Sequence, residues 1–375
     1  MGTVDASVTP TLPRLKTAVQ MWQIPILAWI VSRIIGCIGL VVTPLPDGKW
    51  FNVFGLTYMD GGWYRIIMTI GYPNGPLPAF STAWPFSPLY PFAADLLTRV
   101  GVPVGPSLIF VSWICALFAS IGMYELVKRR ESETVAKYAV WALALLPGAV
   151  GQVLSYSDSM FVAALIWLLV VVDRIERRVS TNEKTNREWW IVGVLLFVVS
   201  ASRPNGVLIL PALLVAVWLI QRSIKNAVIV AAPSLAFITI WMIYCHNKTG
   251  DALAFIHAKN TWLETTIVDF LSHPFERPAI FLHVATFVVV AAVALPAIKK
   301  IPRWWHIISL VLLAPSLLLG VEGMARYVSL TVPLLVMVAI SVSKWSKIYR
   351  SCFFIIAGSS FLFLAGNVVR SAWVP

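Results

Sequence analysis

The chain has 375 residues, of which 59% are hydrophobic and only 12% charged, with a formal net charge of +12 and a mean hydropathy of +0.81. Soluble domains carry about a quarter charged residues, so this composition excludes a water-soluble globular protein and reads as one all-α membrane-embedded domain over residues 1–375. The excess of Lys and Arg does not read as a nucleic-acid footprint, because these residues sit in short clusters between apolar runs, as in the cytoplasmic loops of membrane proteins.

A helix needs about 20 apolar residues to cross the hydrocarbon. Eleven runs are predicted as spans, at 22–42, 107–127, 136–154, 156–173, 189–202, 206–220, 226–245, 279–298, 304–320, 327–343 and 351–369. The first is long enough to span and has no A-x-A cleavage site after it, so it is expected to serve as an uncleaved anchor. The fifth and sixth are short and separated by "SRPNG", whose proline stops a helix. A further short helix is expected between Pro85 and Val100. With the N-terminus inside, nineteen Lys and Arg fall in the inner loops and nine in the outer segments, which predicts N-in, C-out. The four cysteines, Cys37, Cys115, Cys245 and Cys352, have no metal-ligand spacing. His246, His257 and His273 share an outer loop without the i, i+4 spacing of a metal pair, so no metal and no cofactor is expected.

On this topology the unusual polar residues gather on one side. The first outer loop, 43–106, holds ten of the 24 prolines and carries Asp60, Tyr64 and Arg65. Later outer turns bring Asp158 in "SYSDSMF", Arg203 and Asn205 in "SRPNG", and Glu322, Arg326 and Tyr327 in "GVEGMARYV". Each has a purely structural alternative: Asp60 and Asp158 as helix caps, Arg203 and Arg326 as side chains reaching outer headgroups. Arg33 stands in the middle of the first span, where a charge costs about 3 kcal/mol unless it faces the bundle interior. Arginine pairs bidentately with phosphate oxygens, and a carboxylate can take a proton from a hydroxyl. Both groups together beside lipid point to sugar transfer from a lipid phosphate.

"MDGGWYRIIMTIGYP" (Met59–Pro73), "FSPLYP" (Phe86–Pro91), "YSDSMF" (Tyr156–Phe161), "SRPNG" (Ser202–Gly206) and "ARYV" (Ala325–Val328) follow one another in the order found in the PIG-V-type mannosyltransferases. The chain resembles these GT-C fold enzymes, related to GPI mannosyltransferase 2 and with actinobacterial relatives, over about residues 20–345. It departs from their pattern at Met59 for tryptophan, Asp158 for glutamate and Ser87 for phenylalanine. The resemblance implies a GT-C helical bundle and an inverting transfer from polyprenyl-phosphate-mannose to a glycolipid or glycan acceptor on the extracytoplasmic face. It implies Asp60 as catalytic base with Asp158 as a second catalytic carboxylate, and Arg65, Arg203 and Arg326 at the donor phosphate. Tyr64, Asn205, Glu322 and Tyr327 are the remaining candidate substrate contacts. The membrane would be the plasma membrane in a bacterium and the endoplasmic reticulum in a eukaryote. A transporter of a lipid-linked saccharide is the alternative, but transporters place their site at the midplane between repeated halves, and no such repeat is evident here.

Overall fold

In the computed structural model residues 22–42, 56–78, 80, 82–261, 265–318 and 320–369 are described, and every regular element among them is a helix. In chain order the α-helices are α1 (Gln23–Val42), α2 (Asp60–Thr69), α3 (Leu89–Thr98), α4 (Val104–Arg130), α5 (Glu133–Leu145), α6 (Asp158–Ser180), α7 (Asn186–Ser202), α8 (Leu210–Gln221), α9 (Ile224–Thr249), α10 (Ala254–His257), α11 (Ile267–Ser272), α12 (Pro278–Ala294), α13 (Arg303–Leu318), α14 (Met324–Leu330), α15 (Val332–Ser343) and α16 (Lys347–Val369).

Each of the eleven apolar runs carries a helix. Among the described residues, six helices are long and apolar enough to cross a membrane, or seven if the bent pair Val321–Leu330 and Val332–Ser343 is one span. The protein is an integral, multi-pass membrane protein. Most of the other runs are shorter or interrupted; α6 is long and unbroken at 23 residues but carries charges at Asp158, Asp173, Arg174 and Glu176. The run at 136–154 breaks where α5 gives way to a 3₁₀ turn, Pro147–Gln152, and the run at 327–343 bends by 73° between α14 and α15. The proline of "SRPNG" ends α7 and opens the 3₁₀ turn Pro204–Ile209, and α8 continues from it. The short helix expected between Pro85 and Val100 is α3.

Local chemistry sets several ends. Ser132 caps α5 and Ser223 caps α9, each accepting a backbone N–H, and Gly250 ends α9 with φ 81°, a left-handed conformation that glycine adopts without steric cost. α6 and α15 run through the middle, buried on nearly all sides. Helices α4 and α7 flank α6, while α5 and α12 flank α15. Lipid tails are as apolar as leucine, so association rests on close packing and hydrogen bonds more than on removal from water. Buried alanines such as Ala136, Ala139 and Ala142 on α5 and Ala163 and Ala164 on α6 allow that approach. The outer helices turn large apolar side chains outward, among them Ile30 and Ile34 on α1 and Ile240 and Ile243 on α9.

Candidate active site

The site is built where three helix starts and one helix end meet. α2 begins abruptly: Met59 at its N-cap has φ 51° and ψ −121°, a conformation sparsely allowed for any residue with a side chain. Strain of this kind persists only where the surroundings enforce it. Asp60 follows as the first residue of α2. At Gly61 a Cβ would lie 2.2 Å from Ser155 Oγ, so a larger residue there would have to displace the Ser155 hydroxyl from the Leu56 carbonyl to which it donates at 2.9 Å.

Asp158 is the first residue of α6, with Ser157 at the N-cap. It is not the side-chain cap that its position invites. Its carboxylate instead meets two arginines. Arg326 donates from Nη2 to Oδ1 at 2.8 Å and from Nε to Oδ2, and Arg203 donates from Nη1 to Oδ1. Arg326 also reaches Asp60, Nη1 to Oδ2 at 2.7 Å, so all three guanidinium nitrogens of Arg326 bind carboxylate. Arg203 and Arg326 therefore point inward rather than to headgroups. Both aspartates also stand at helix N-termini, where the helix dipole favours negative charge. Two carboxylates and two guanidiniums balance within the cluster, as a buried ionic group requires.

The surroundings hold the arginines in place. The Tyr156 ring lies 4.6 Å from the Arg326 guanidinium carbon, and the Tyr327 ring lies 5.8 Å from that of Arg203. Both distances are within cation–π range. Tyr64 is buried and donates its hydroxyl to Ser157 Oγ at 2.7 Å. The Ala325 backbone N–H donates to Nδ1 of the buried His283 at 3.3 Å, which ties the start of α14 to α12. The 3₁₀ turn Pro147–Gln152 forms the floor and is buried throughout. Irregular backbone at membrane depth is tolerated where protein surrounds it. At Gly151 a Cβ would stand 2.3 Å from Asp158 Oδ2, so the turn carries no side chain where the carboxylate sits.

The structure thus brings Asp60, Asp158, Arg203 and Arg326 into one network, with Tyr64 and Tyr327 at its edge. It sets Arg65 apart. Five residues on from Asp60 along a helix, Arg65 is turned by about 140° at 3.6 residues per turn, and it is exposed while Asp60 is buried. Asn205 is half-buried in the turn after Arg203. Glu322 is buried beside the network and accepts from Thr265 Oγ1 at 2.6 Å. Thr265 in turn lines a cleft of about 370 Å³ together with Asp269, Phe270, His273, Glu276 and Arg277. Sequence reading did not single out Tyr156, Ser157, Gly151 or His283. Tyr156 and Ser157 lie inside the quoted "YSDSMF", and the glycines of "PGAVGQ" interrupt an apolar run, which is the signal they offered. Among the described residues no group of three or more His, Cys, Asp or Glu side chains is placed to hold a metal ion.

A family model described as dolichyl-phosphate-mannose-protein mannosyltransferase matches residues 85–246, a stretch that includes Asp158 and Arg203. Solved structures share the architecture along nearly the whole chain. ArnT from Cupriavidus metallidurans bound to undecaprenyl phosphate superposes with a TM-score of 0.55 at 12% identity, over 92% of this chain and 63% of its own. The same enzyme in its apo state gives 0.53 at 11%, over 90% and 62%. The fold is GT-C. The Archaeoglobus fulgidus oligosaccharyltransferase tethered with an acceptor peptide gives 0.51 at 13% identity, over 96% of this chain and 56% of its own. This GT-C bundle therefore spans between 56% and 63% of the length of these structures. No curated protein matches the sequence.

Proposed function

We propose that the protein is a membrane glycosyltransferase that moves a mannosyl group from polyprenyl-phosphate-mannose to a glycolipid or glycan hydroxyl, with inversion, at the extracytoplasmic face of the membrane. The observation that carries this reading is the buried network of Asp60, Arg326, Asp158 and Arg203, drawn from four separate chain segments. The match to a mannosyltransferase family model and the GT-C fold support it.

In this reading the two aspartates divide the work. Asp158, with its side chain only 1% exposed and two guanidiniums on its oxygens, orients the arginines. Asp60 is held by one guanidinium nitrogen and its side chain is 12% exposed, which leaves it the more accessible carboxylate. A donor phosphate brings negative charge to Arg326 and Arg203 and competes with Asp60 for the guanidinium. Asp60, so released, takes the proton of the acceptor hydroxyl as its oxygen bonds to the anomeric carbon. The bond from that carbon to the phosphate oxygen breaks, and polyprenyl phosphate leaves without needing a general acid, since phosphate is already a good leaving group. Positive charge building at the anomeric carbon resembles that in glycoside hydrolysis.

The test is direct. Purified protein is incubated with polyprenyl-phosphate-mannose, with the glucose counterpart, and with a nucleotide-linked mannose, each beside candidate glycolipids, and products are identified by mass spectrometry. Mannosylated product from the lipid phosphate donor alone is expected. Product only from the nucleotide sugar, or none from any lipid phosphate sugar, would sink the proposal.

A further inference from the structure

Arg33 stands mid-way along α1, its residue 6% exposed, and among the described residues no carboxylate pairs with it. A permanent charge so placed must be satisfied by hydrogen bonds, since isolated burial is prohibitive. Its guanidinium donates from Nη2 to the Gln152 carbonyl at 2.6 Å, and from Nη1 to Ser32 Oγ at 2.6 Å and the Trp29 carbonyl at 3.3 Å. The Gln152 carbonyl also accepts from Ser159 Oγ on α6 at 3.2 Å. The next two carbonyls are taken as well. Trp113 Nε1 donates to Val153 at 2.7 Å and Ser112 Oγ to Leu154 at 2.8 Å. These donors satisfy the irregular stretch between α5 and α6, where backbone groups otherwise lack partners. Gly151, one residue before Gln152, is the floor against Asp158.

We infer that Arg33 is a positioning residue. One arm of its planar fork holds the Gln152 carbonyl while the other is anchored on α1, so that the glycine turn holds the Asp158 carboxylate against Arg326 and Arg203. The catalytic half of this inference rests on the proposed transfer; the structural half does not. A lysine keeps the charge but not the fork, and its compact ammonium does not span the carbonyl and its own helix's acceptors together.

The experiment compares full-length wild type, Arg33→Lys and Arg33→Met in nanodiscs by hydrogen–deuterium exchange, without substrate. Arg33→Lys is expected to speed exchange of the Val153, Leu154 and Ser155 amides roughly tenfold, the scale of one lost charge-assisted bond, with α7 and α9 unchanged. With a donor that wild type uses, kcat is expected to fall about tenfold while donor KM stays within about twofold, as for a misplaced rather than missing group. Unchanged exchange at 153–155 in Arg33→Lys overturns the inference. So does faster exchange spread evenly over the bundle, or an Arg33→Lys variant that matches wild type while Arg33→Met fails, since charge alone would then suffice. A wild type inactive with every lipid phosphate sugar would remove the proposed function and leave the exchange result to stand or fall by itself.

Discussion

Helix α6 holds an aspartate near each end, Asp158 in its first turn and Asp173 about 22 Å farther along at 1.5 Å per residue, and each carboxylate takes two arginines. At the far end Arg130 reaches Asp173 at 2.9 Å and Arg177 at 3.0 Å. Those arginine side chains are 19% and 56% exposed, and Arg177 sits one turn away on the same helix. At the near end the arginine side chains are 12% and 7% exposed and both come from distant segments; at each end one arginine also meets a second carboxylate, Arg130 with Glu176 at 3.3 Å and Arg326 with Asp60 at 2.7 Å. The difference is one of solvent. Arginines at the Asp173 end can turn to water or headgroups when a partner is lost, so that pair only fastens α4 to α6. Those at the Asp158 end have no such exit, so each charge there fixes the others.

Breaking each carboxylate in turn is the strongest test of that contrast. Asp158→Asn leaves two buried guanidiniums short of an anion and is expected to destabilise the protein by about 3–5 kcal/mol, as when one partner of a buried pair is removed. Asp173→Asn, with partly exposed partners, is expected to cost about 1 kcal/mol or less. Unfolding of both variants in one detergent checks this, and equal losses would erase the distinction.

The arginines sharpen the comparison. Arg326→Lys cannot serve Asp60 and both oxygens of Asp158 together. Use of the lipid donor is expected to drop by about 10- to 150-fold in kcat/KM, the worth of a hydrogen bond to a charged group, whereas Arg130→Lys at the other end is expected to leave it within about twofold. Steady-state kinetics on both variants decides it. A smaller effect is expected at the edge of the cluster. Tyr64→Phe removes one buried hydroxyl contact with Ser157 and is expected to cost about 1 kcal/mol of stability, measured by the same unfolding experiment. If the two ends face opposite sides of the membrane, as the Lys and Arg distribution predicts, a cysteine at Asn74 in a Cys-free background is labelled from the outside. One at Asn182 is then labelled only from the cytoplasm.

Much of this was legible in the sequence. Every apolar run became a helix, because long apolar segments in lipid have few other ways to satisfy their backbone. The interruptions were less visible: "PGAVGQ" is as apolar as its neighbours, and the 73° bend after Leu330 depends on packing rather than period. At the site, Asp60, Asp158, Arg203 and Arg326 stood out as charges at span ends, which lipid makes expensive. Their pairing was not readable, since Asp158 and Arg326 lie 168 residues apart. Helical spacing alone would have parted Arg65 from Asp60. The partner of Arg33 outside α1 is a backbone carbonyl, which no pattern of side chains records.

The central claim is that Asp60 takes the acceptor proton while Asp158 only orders the arginines. It is tested most directly by the rate of mannosyl transfer from polyprenyl-phosphate-mannose by Asp60→Asn enzyme that elutes and melts like wild type. The amide keeps the shape and can still accept from Arg326, but cannot take up a proton. The account predicts a loss of about 10²- to 10⁴-fold, the usual worth of a positioned base. Near-normal transfer by Asp60→Asn, with Asp158→Asn folded but inactive, would contradict it and move the base to Asp158.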